Sequence, residues 1–288
     1  MRIRATVAAV SGALALSAFV VPAAQADNAA PSYKAEASKV LGTSGKTAFS
    51  ATTDTADLGV TFSNLKIASA VKVGTTNHVS TTVTYTLTHG ADYVLNSDDY
   101  DNGPLIYKGS ADAPDNMLFG DDAATCTATS TTTASCKGLI DIYPADGELL
   151  NSDSGTWSAG AVALQYSTDD SSATFGLGST KVQRYSKLTV NAGPEPVTKG
   201  RTITSTGKLS RANWEDNLYH GYTNQPVKLQ FRKAGTSTYT TVKTVTSDST
   251  GNVKATATAA SDGYWRFSFA GTTTTPAVNA TGDYVDVR

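Results

Sequence analysis

Pro226–Lys233 reads PVKLQFRK, Ser237–Ser247 STYTTVKTVTS, Gly251–Ala260 GNVKATATAA, Asp262–Gly271 DGYWRFSFAG and Gly282–Arg288 GDYVDVR. Each piece alternates apolar and polar residues at period two, the pattern of a strand with one face in a core. Val227, Leu229 and Phe231 share a face of the first piece. Trp265, Phe267 and Phe269 share a face of the fourth, with Tyr264, Arg266 and Ser268 turned the other way. The two apolar sets are expected to be buried and to face each other across a β-sandwich. The chain upstream reads as a further module, N-terminal to this one and itself preceded by an export signal.

A chain of 288 residues allows about two domains at the usual ~100–200 residues each. Charged residues make up only 17%, and plentiful Thr, Val and Tyr favour strands over helices. Periodic apolar positions recur along the chain, so it should bury a core rather than stay disordered. The expected fold is all-β, two antiparallel sandwiches in tandem behind a signal peptide. The boundaries fall at 1–26 for the signal, 27–56 for a flexible N-terminal segment without periodicity, 57–186 for an acidic sandwich and 187–288 for the second sandwich.

The signal peptide rests on Arg2 and Arg4, the apolar stretch Val7 to Val21, and Ala24-Gln25-Ala26 as an A-x-A cleavage site. The mature chain would begin at Asp27, secreted and without a membrane anchor after cleavage. In the front module, Leu58–Ile67, His78–His89, Gly155–Thr168 and Thr180–Tyr185 read as strands. Ser186–Ala192 opens the second module with almost no linker. Ile203–Leu209 reads as its next strand, and the fifteen residues Arg211–Gln225 (RANWEDNLYHGYTNQ) as a connection long enough to be functional or mobile.

Charge is divided unevenly. Residues 27–187 carry eighteen Asp or Glu against ten Lys or Arg, net −8. Residues 188–288 carry seven against eleven, net +4. The front module suits cations, and nothing in the back module is dense enough for a nucleic-acid footprint. The two cysteines, Cys126 and Cys136, flank a Thr/Ser-rich stretch that reads as two short strands and a turn. In an oxidising compartment they should form a disulfide with Cα atoms roughly 4.4–6.8 Å apart.

Two constellations offer binding chemistry. The first is Ser97-Asp98-Asp99-Tyr100-Asp101-Asn102-Gly103. Ca²⁺ takes six to eight oxygens on a turning loop. No EF-hand register fits, since Tyr100 or Gly103 falls where a ligand is required and no Glu stands at the twelfth position. A loop site would instead join Asp98, Asp99 and Asp101 to Asp121 or Asp122 from the next turn, with Ca²⁺ as the cofactor. The competing reading is a solvated acidic turn. The second constellation is Trp214, Tyr219 and Tyr222, with Glu215, Asp216 and Asn217. It suits a sugar ring stacked on an aromatic face, or a loop folded over the sandwich end with Trp214 plugging the core.

Catalytic patterns do not emerge. His78, His89 and His220 form no HExxH, and no GxSxG or Gly-rich phosphate loop is present.

The pattern QPVKLQFRK, SDSTGNVKAT and DGYWRFSFAG resembles the bacterial Ig-like and prealbumin-like sandwich modules of secreted and cell-wall proteins. That resemblance covers about residues 187–288 and implies an Ig-like second domain. The whole chain, from MRIRATVAAV to ATGDYVDVR, resembles a group of small exported actinobacterial proteins commonly labelled calcium-binding or hypothetical. Together these imply a secreted, non-enzymatic structural or binding protein, with Ca²⁺ held by the acidic loops. The alternative is a carbohydrate or cell-wall binding module, its partner an extracellular polysaccharide or protein met through the aromatic loop.

Overall fold

The computed structural model describes residues 32–41 and 56–288. The signal peptide, its cleavage site and residues 42–55 lie outside the described residues. The front part holds α1 (Tyr33–Leu41), β1 (Thr61–Ile67), β2 (Val71–Val73), β3 (Val79–Thr88), β4 (Tyr100–Gly109), β5 (Pro114–Phe119), β6 (Thr125–Ala128), β7 (Thr133–Ile142), β8 (Gly155–Gln165) and β9 (Asp170–Arg184). The back part holds β10 (Ser186–Leu188), β11 (Asn191–Gly193), β12 (Thr202–Asn213), β13 (Leu218–Gly221), β14 (Pro226–Lys233), β15 (Thr240–Thr246), β16 (Asn252–Thr258), β17 (Gly263–Phe269), β18 (Val278–Asn279) and β19 (Asp283–Val285).

The front strands form a four-stranded sheet, β1-β3-β7-β6, packed on a five-stranded sheet, β2-β9-β8-β4-β5. Their inner faces meet in one core that includes Phe62, Val83, Tyr85, Leu87, Ile106, Leu118, Ile140 and Trp157. The alternation expected along β3 holds, with Thr81, Val83, Tyr85 and Leu87 buried. One pairing departs from the antiparallel expectation: β2 runs parallel to β9, Val71 to Val73 beside Val182 to Arg184. Only three residues are involved, and the long connection from β2 back to β9 permits it.

The segment expected to be flexible contains the helix α1. Tyr33, Ala37 and Leu41 are buried, spaced four apart and so on one helical face. That face lies on the outer side of the five-stranded sheet, in a second apolar cluster with Leu105, Tyr107, Met117, Phe119, Val162 and Leu164. The helix is thus a third layer, which is why β4 is buried on both faces from Asn102 to Tyr107. Gly103 makes room for it, since a Cβ there would collide with the Tyr33 hydroxyl.

Cys126 and Cys136 sit opposite each other on β6 and β7 and are bonded, with Cα atoms 4.1 Å apart. The separation is below the expected range because the pair is not joined by ladder hydrogen bonds. Cys126 N instead donates to Asn96 Oδ1 at 2.9 Å, and Asn96 Nδ2 donates to Cys126 O at 2.8 Å. Non-hydrogen-bonded antiparallel pairs are the closer ones.

In the second sandwich β12 is the centre of one sheet, pairing β16 and β13 along one edge and β11 and β10 along the other. The facing sheet runs β15-β14-β17, with β18 and β19 both on the far side of β17. Trp265, Phe267 and Phe269 are buried, as are Val227 and Leu229. They do not face each other across the sandwich, however. Val227 pairs with Phe269, Leu229 with Phe267 and Phe231 with Trp265 on adjacent strands of one sheet. Ile203, Leu209, Val253 and Ala255 of the other sheet complete this core. One residue, Tyr185, separates β9 from β10.

Candidate functional site

The acidic run does not converge on the next turn. Asp98 and Asp122 are exposed. Gln165 Nε2 and Ser167 Oγ each donate to Asp99 Oδ2 at 2.9 Å, and Ser167 N donates to Asp99 Oδ1 at 2.8 Å. These bonds, that from Gln165 foremost, hold the Asp99 carboxyl below the usual carboxylate range. The Tyr166 hydroxyl donates to Asp101 Oδ2 at 2.6 Å. Asp99 and Asp101 are therefore tied to the turn after β8. Donors already face both oxygens of Asp99 and Oδ2 of Asp101, and a cation at those atoms would have to displace them. Asp121 belongs to a different group of side chains.

That group is built from four segments. His78 and Ser80 stand at the start of β3, and Asp141 lies opposite Ser80 on β7. Asp121 comes from the β5–β6 turn, and Lys34 from α1. Among the described residues, His78, Asp121 and Asp141 form the one set of three metal-ligating side chains whose donor atoms all lie within 4.8 Å of one another. His78 Nε2 is 2.9 Å from Asp141 Oδ1, which also accepts from Ser80 Oγ. Asp121 N donates to Asp141 Oδ2 at 3.0 Å. The Asp141 carboxyl is 6% exposed. The His78 ring stacks on Tyr143 at 4.2 Å with planes 2° apart.

Lys34 Nζ lies 3.1 Å from Asp121 Oδ1 and 2.9 Å from Glu148 Oε1. The Tyr143 hydroxyl donates to Asp121 Oδ2. Burial alone would raise the Asp121 carboxyl, but the bonds from Tyr143 and Lys34 outweigh it and leave it below the ordinary range. The Asp121 bond pushes the Tyr143 phenol up to about 12. Ser, His and Asp meet here, but Ser80 and Asp141 both reach the same ring nitrogen, Nε2. A nucleophile relay needs them on opposite nitrogens, so this arrangement does not activate Ser80.

Asp121 was in view from the sequence; His78 and Asp141 were not. The available signal was Asp141 itself, a charge set inside the apolar run Gly138–Tyr143 (GLIDIY). A buried carboxylate requires partners.

The aromatic constellation is not a loop. β12 and β13 form a hairpin in which Asn213 pairs with Leu218 and Ser210 with Gly221. Its tip is Trp214 to Asn217, turned by Asn217 at φ 59°. Trp214 is 2% exposed and enters the core of the front sandwich, in the cluster that contains Val73, Trp157 and Val182. Its indole N–H donates to Gly74 O at 2.9 Å. The plug reading holds, but the core plugged is the neighbouring module's. Tyr219 lies under the Lys187 ammonium at 3.6 Å, and Tyr222 under the Arg211 guanidinium at 3.9 Å. Trp214 is thus closed to a sugar, and Tyr219 and Tyr222 each carry a cation over one ring face.

Further bonds tie the modules around the hairpin. Gln183 Nε2 donates to Thr272 O at 2.9 Å, Arg184 N to Thr274 O at 3.0 Å, and Arg184 Nε to Ala212 O at 2.6 Å. Burial, then the nearby charge of Arg211, pushes the Arg184 guanidinium down to about 10. Trp214 N donates to Asn151 Oδ1 at 3.2 Å, and Asn151 Nδ2 donates to Asn213 Oδ1.

No family model matches the chain, and no curated protein matches its sequence. Solved structures do. A marsupial T cell receptor is similar at 13% identity and TM-score 0.34, over 79% of this chain and 73% of that one. A chimeric titin Z1Z2-Z1Z2 tandem is similar at 12% identity and TM-score 0.28, over 78% and 99%. The fibronectin(III)-like modules of CbhA from Clostridium thermocellum are similar at 11% identity and TM-score 0.27, over 77% and 92%. The all-β architecture stands on this chain's own sheets.

Proposed function

We propose that the chain is an exported structural or binding protein, not an enzyme, whose two sandwiches act as a single rigid body. The observation that supports this most is Trp214. A module tethered by a flexible linker keeps its own core closed, whereas here the second module places an indole in the core of the first. The one-residue step at Tyr185 and the bonds of Gln183 and Arg184 act in the same sense. Such a joint holds an orientation, which suits a spacer or presenting element in an extracellular assembly. The disulfide fits an oxidising compartment. The partner, an extracellular protein or polysaccharide, would be met on surfaces away from the occupied faces of Tyr219 and Tyr222.

Residual dipolar couplings on the full chain test the reading. Amides of both sandwiches should fit one alignment tensor. Two tensors of clearly different magnitude would show independent modules and overturn it.

A further inference from the structure

We propose that His78, Asp121 and Asp141 form a binding site for a divalent transition-metal ion of the Zn²⁺ class, at which the Lys34 ammonium competes. This goes beyond the structural role above and does not rest on it. The donor set is one imidazole nitrogen and two carboxylates, drawn from three segments and within 4.8 Å of one another. Imidazole with carboxylate suits Zn²⁺ and its neighbours, whereas Ca²⁺ requires a cage of oxygens.

Charge points the same way. Among the described residues Lys34 is the one ammonium paired with this group, at Asp121 and Glu148, while Asp141 pairs with His78. With His78 neutral the group carries net −2, which one divalent ion would balance. Asp141 in particular is buried and, among the described residues, its carboxylate meets His78, the Ser80 hydroxyl and one backbone N–H.

The ring is held ready. Its stack on Tyr143 fixes the plane in which Nε2 points at Asp141. Nε2 lies 2.9 Å from Asp141 Oδ1. On metal binding Nε2 would give its lone pair to the ion, with the ring proton on Nδ1; the His78 side chain is 42% exposed. Asp121 would then exchange its bond from Lys34, on α1, for the ion. Metal occupancy and the grip on the helix are thereby linked.

The test is calorimetric titration of the full chain with ZnCl₂, with CaCl₂ in parallel, and nitrogen NMR of the imidazoles. There are three histidines, so the site can be assigned. The expected result is one Zn²⁺ per chain, bound more tightly than Ca²⁺, with the His78 ring resonances shifted. His78→Ala should abolish binding, while His220→Ala, which removes an exposed His220–Asp216 pair, should leave it intact. Lys34→Met should tighten it. The proposal is overturned if wild-type protein binds no Zn²⁺, if His78→Ala binds as well as wild type, or if Zn²⁺ leaves the His78 resonances unmoved. Equal or weaker binding by Lys34→Met would overturn the competition at Asp121.

Discussion

Trp214→Ala is the most direct perturbation of the joint. Truncating a fully buried tryptophan costs about 3–5 kcal/mol in lost transfer energy and residual cavity. The indole N–H bond to Gly74 O adds about 1 kcal/mol, for a total of about 4–6 kcal/mol. For a folded unit of this size each kcal/mol moves the midpoint by roughly 2–4 °C, so the fall should be roughly 10–20 °C. The pattern of melting matters more than its size. The side chain belongs to one sandwich and its pocket to the other, so the loss falls on their coupling. Scanning calorimetry should show one endotherm for the wild type and two for the variant, the front sandwich unfolding first. A single endotherm within about two degrees of wild type would refute the reasoning, because 2 °C corresponds to less than about 1 kcal/mol.

Replacing both Cys126 and Cys136 by Ser should lower stability in urea by roughly 2–3 kcal/mol, the chain-entropy value for so short a loop; an unchanged midpoint would contradict it. Ala37→Asp places a charge at a fully buried position under α1 and should cost about 3 kcal/mol or more. Dye binding to the uncovered Leu105, Phe119 and Val162 face should rise with it, and no rise would mean that the helix remains docked. Asp248 accepts bonds from Thr250 N, Thr250 Oγ1 and Asn252 N, which depress its pKa to about 2. A depressed carboxylate stabilises above its unfolded pKa of ~4 and loses that contribution as pH falls through about 2. Asp248→Asn should therefore flatten the acid limb of the stability curve between about pH 4 and pH 2, as followed by circular dichroism.

The legible part of the chain was the part governed by local period. β3, β14 and β17 alternate strictly, and their buried faces follow from residue order alone. The same is true of the cysteine hairpin, whose partners lie ten residues apart. The helix α1 was not legible because its buried face carries only Tyr33, Ala37 and Leu41 among Lys, Glu and Ser, a faint stripe next to the strands. The β12–β13 hairpin was missed for another reason. Around its turn the polar residues Asn213, Glu215, Asp216 and Asn217 break the alternation, and the junction satisfies Asn213 and the Trp214 amide through Asn151. The pairing of His78 with Asp141 spans 63 positions and depends on strand register, which residue order does not reveal. Gly103, which completes a metal-like D-x-D-x-G run, is a glycine for packing: Tyr33 lies against it.

The third layer has a consequence for the order in which the molecule assembles. A helix of nine residues is too short to persist alone in water. Synthesis delivers it more than a hundred residues ahead of Val162 and Leu164 on β8. It has nothing to lie on until the five-stranded sheet exists, so a segment made before every strand of that sheet must settle after them. Its contacts are among the most distant in sequence, and long-range contacts form late. Substitutions at Ala37 or Leu41 should then speed unfolding and leave the folding rate nearly unchanged, the kinetic mark of an element absent from the transition state.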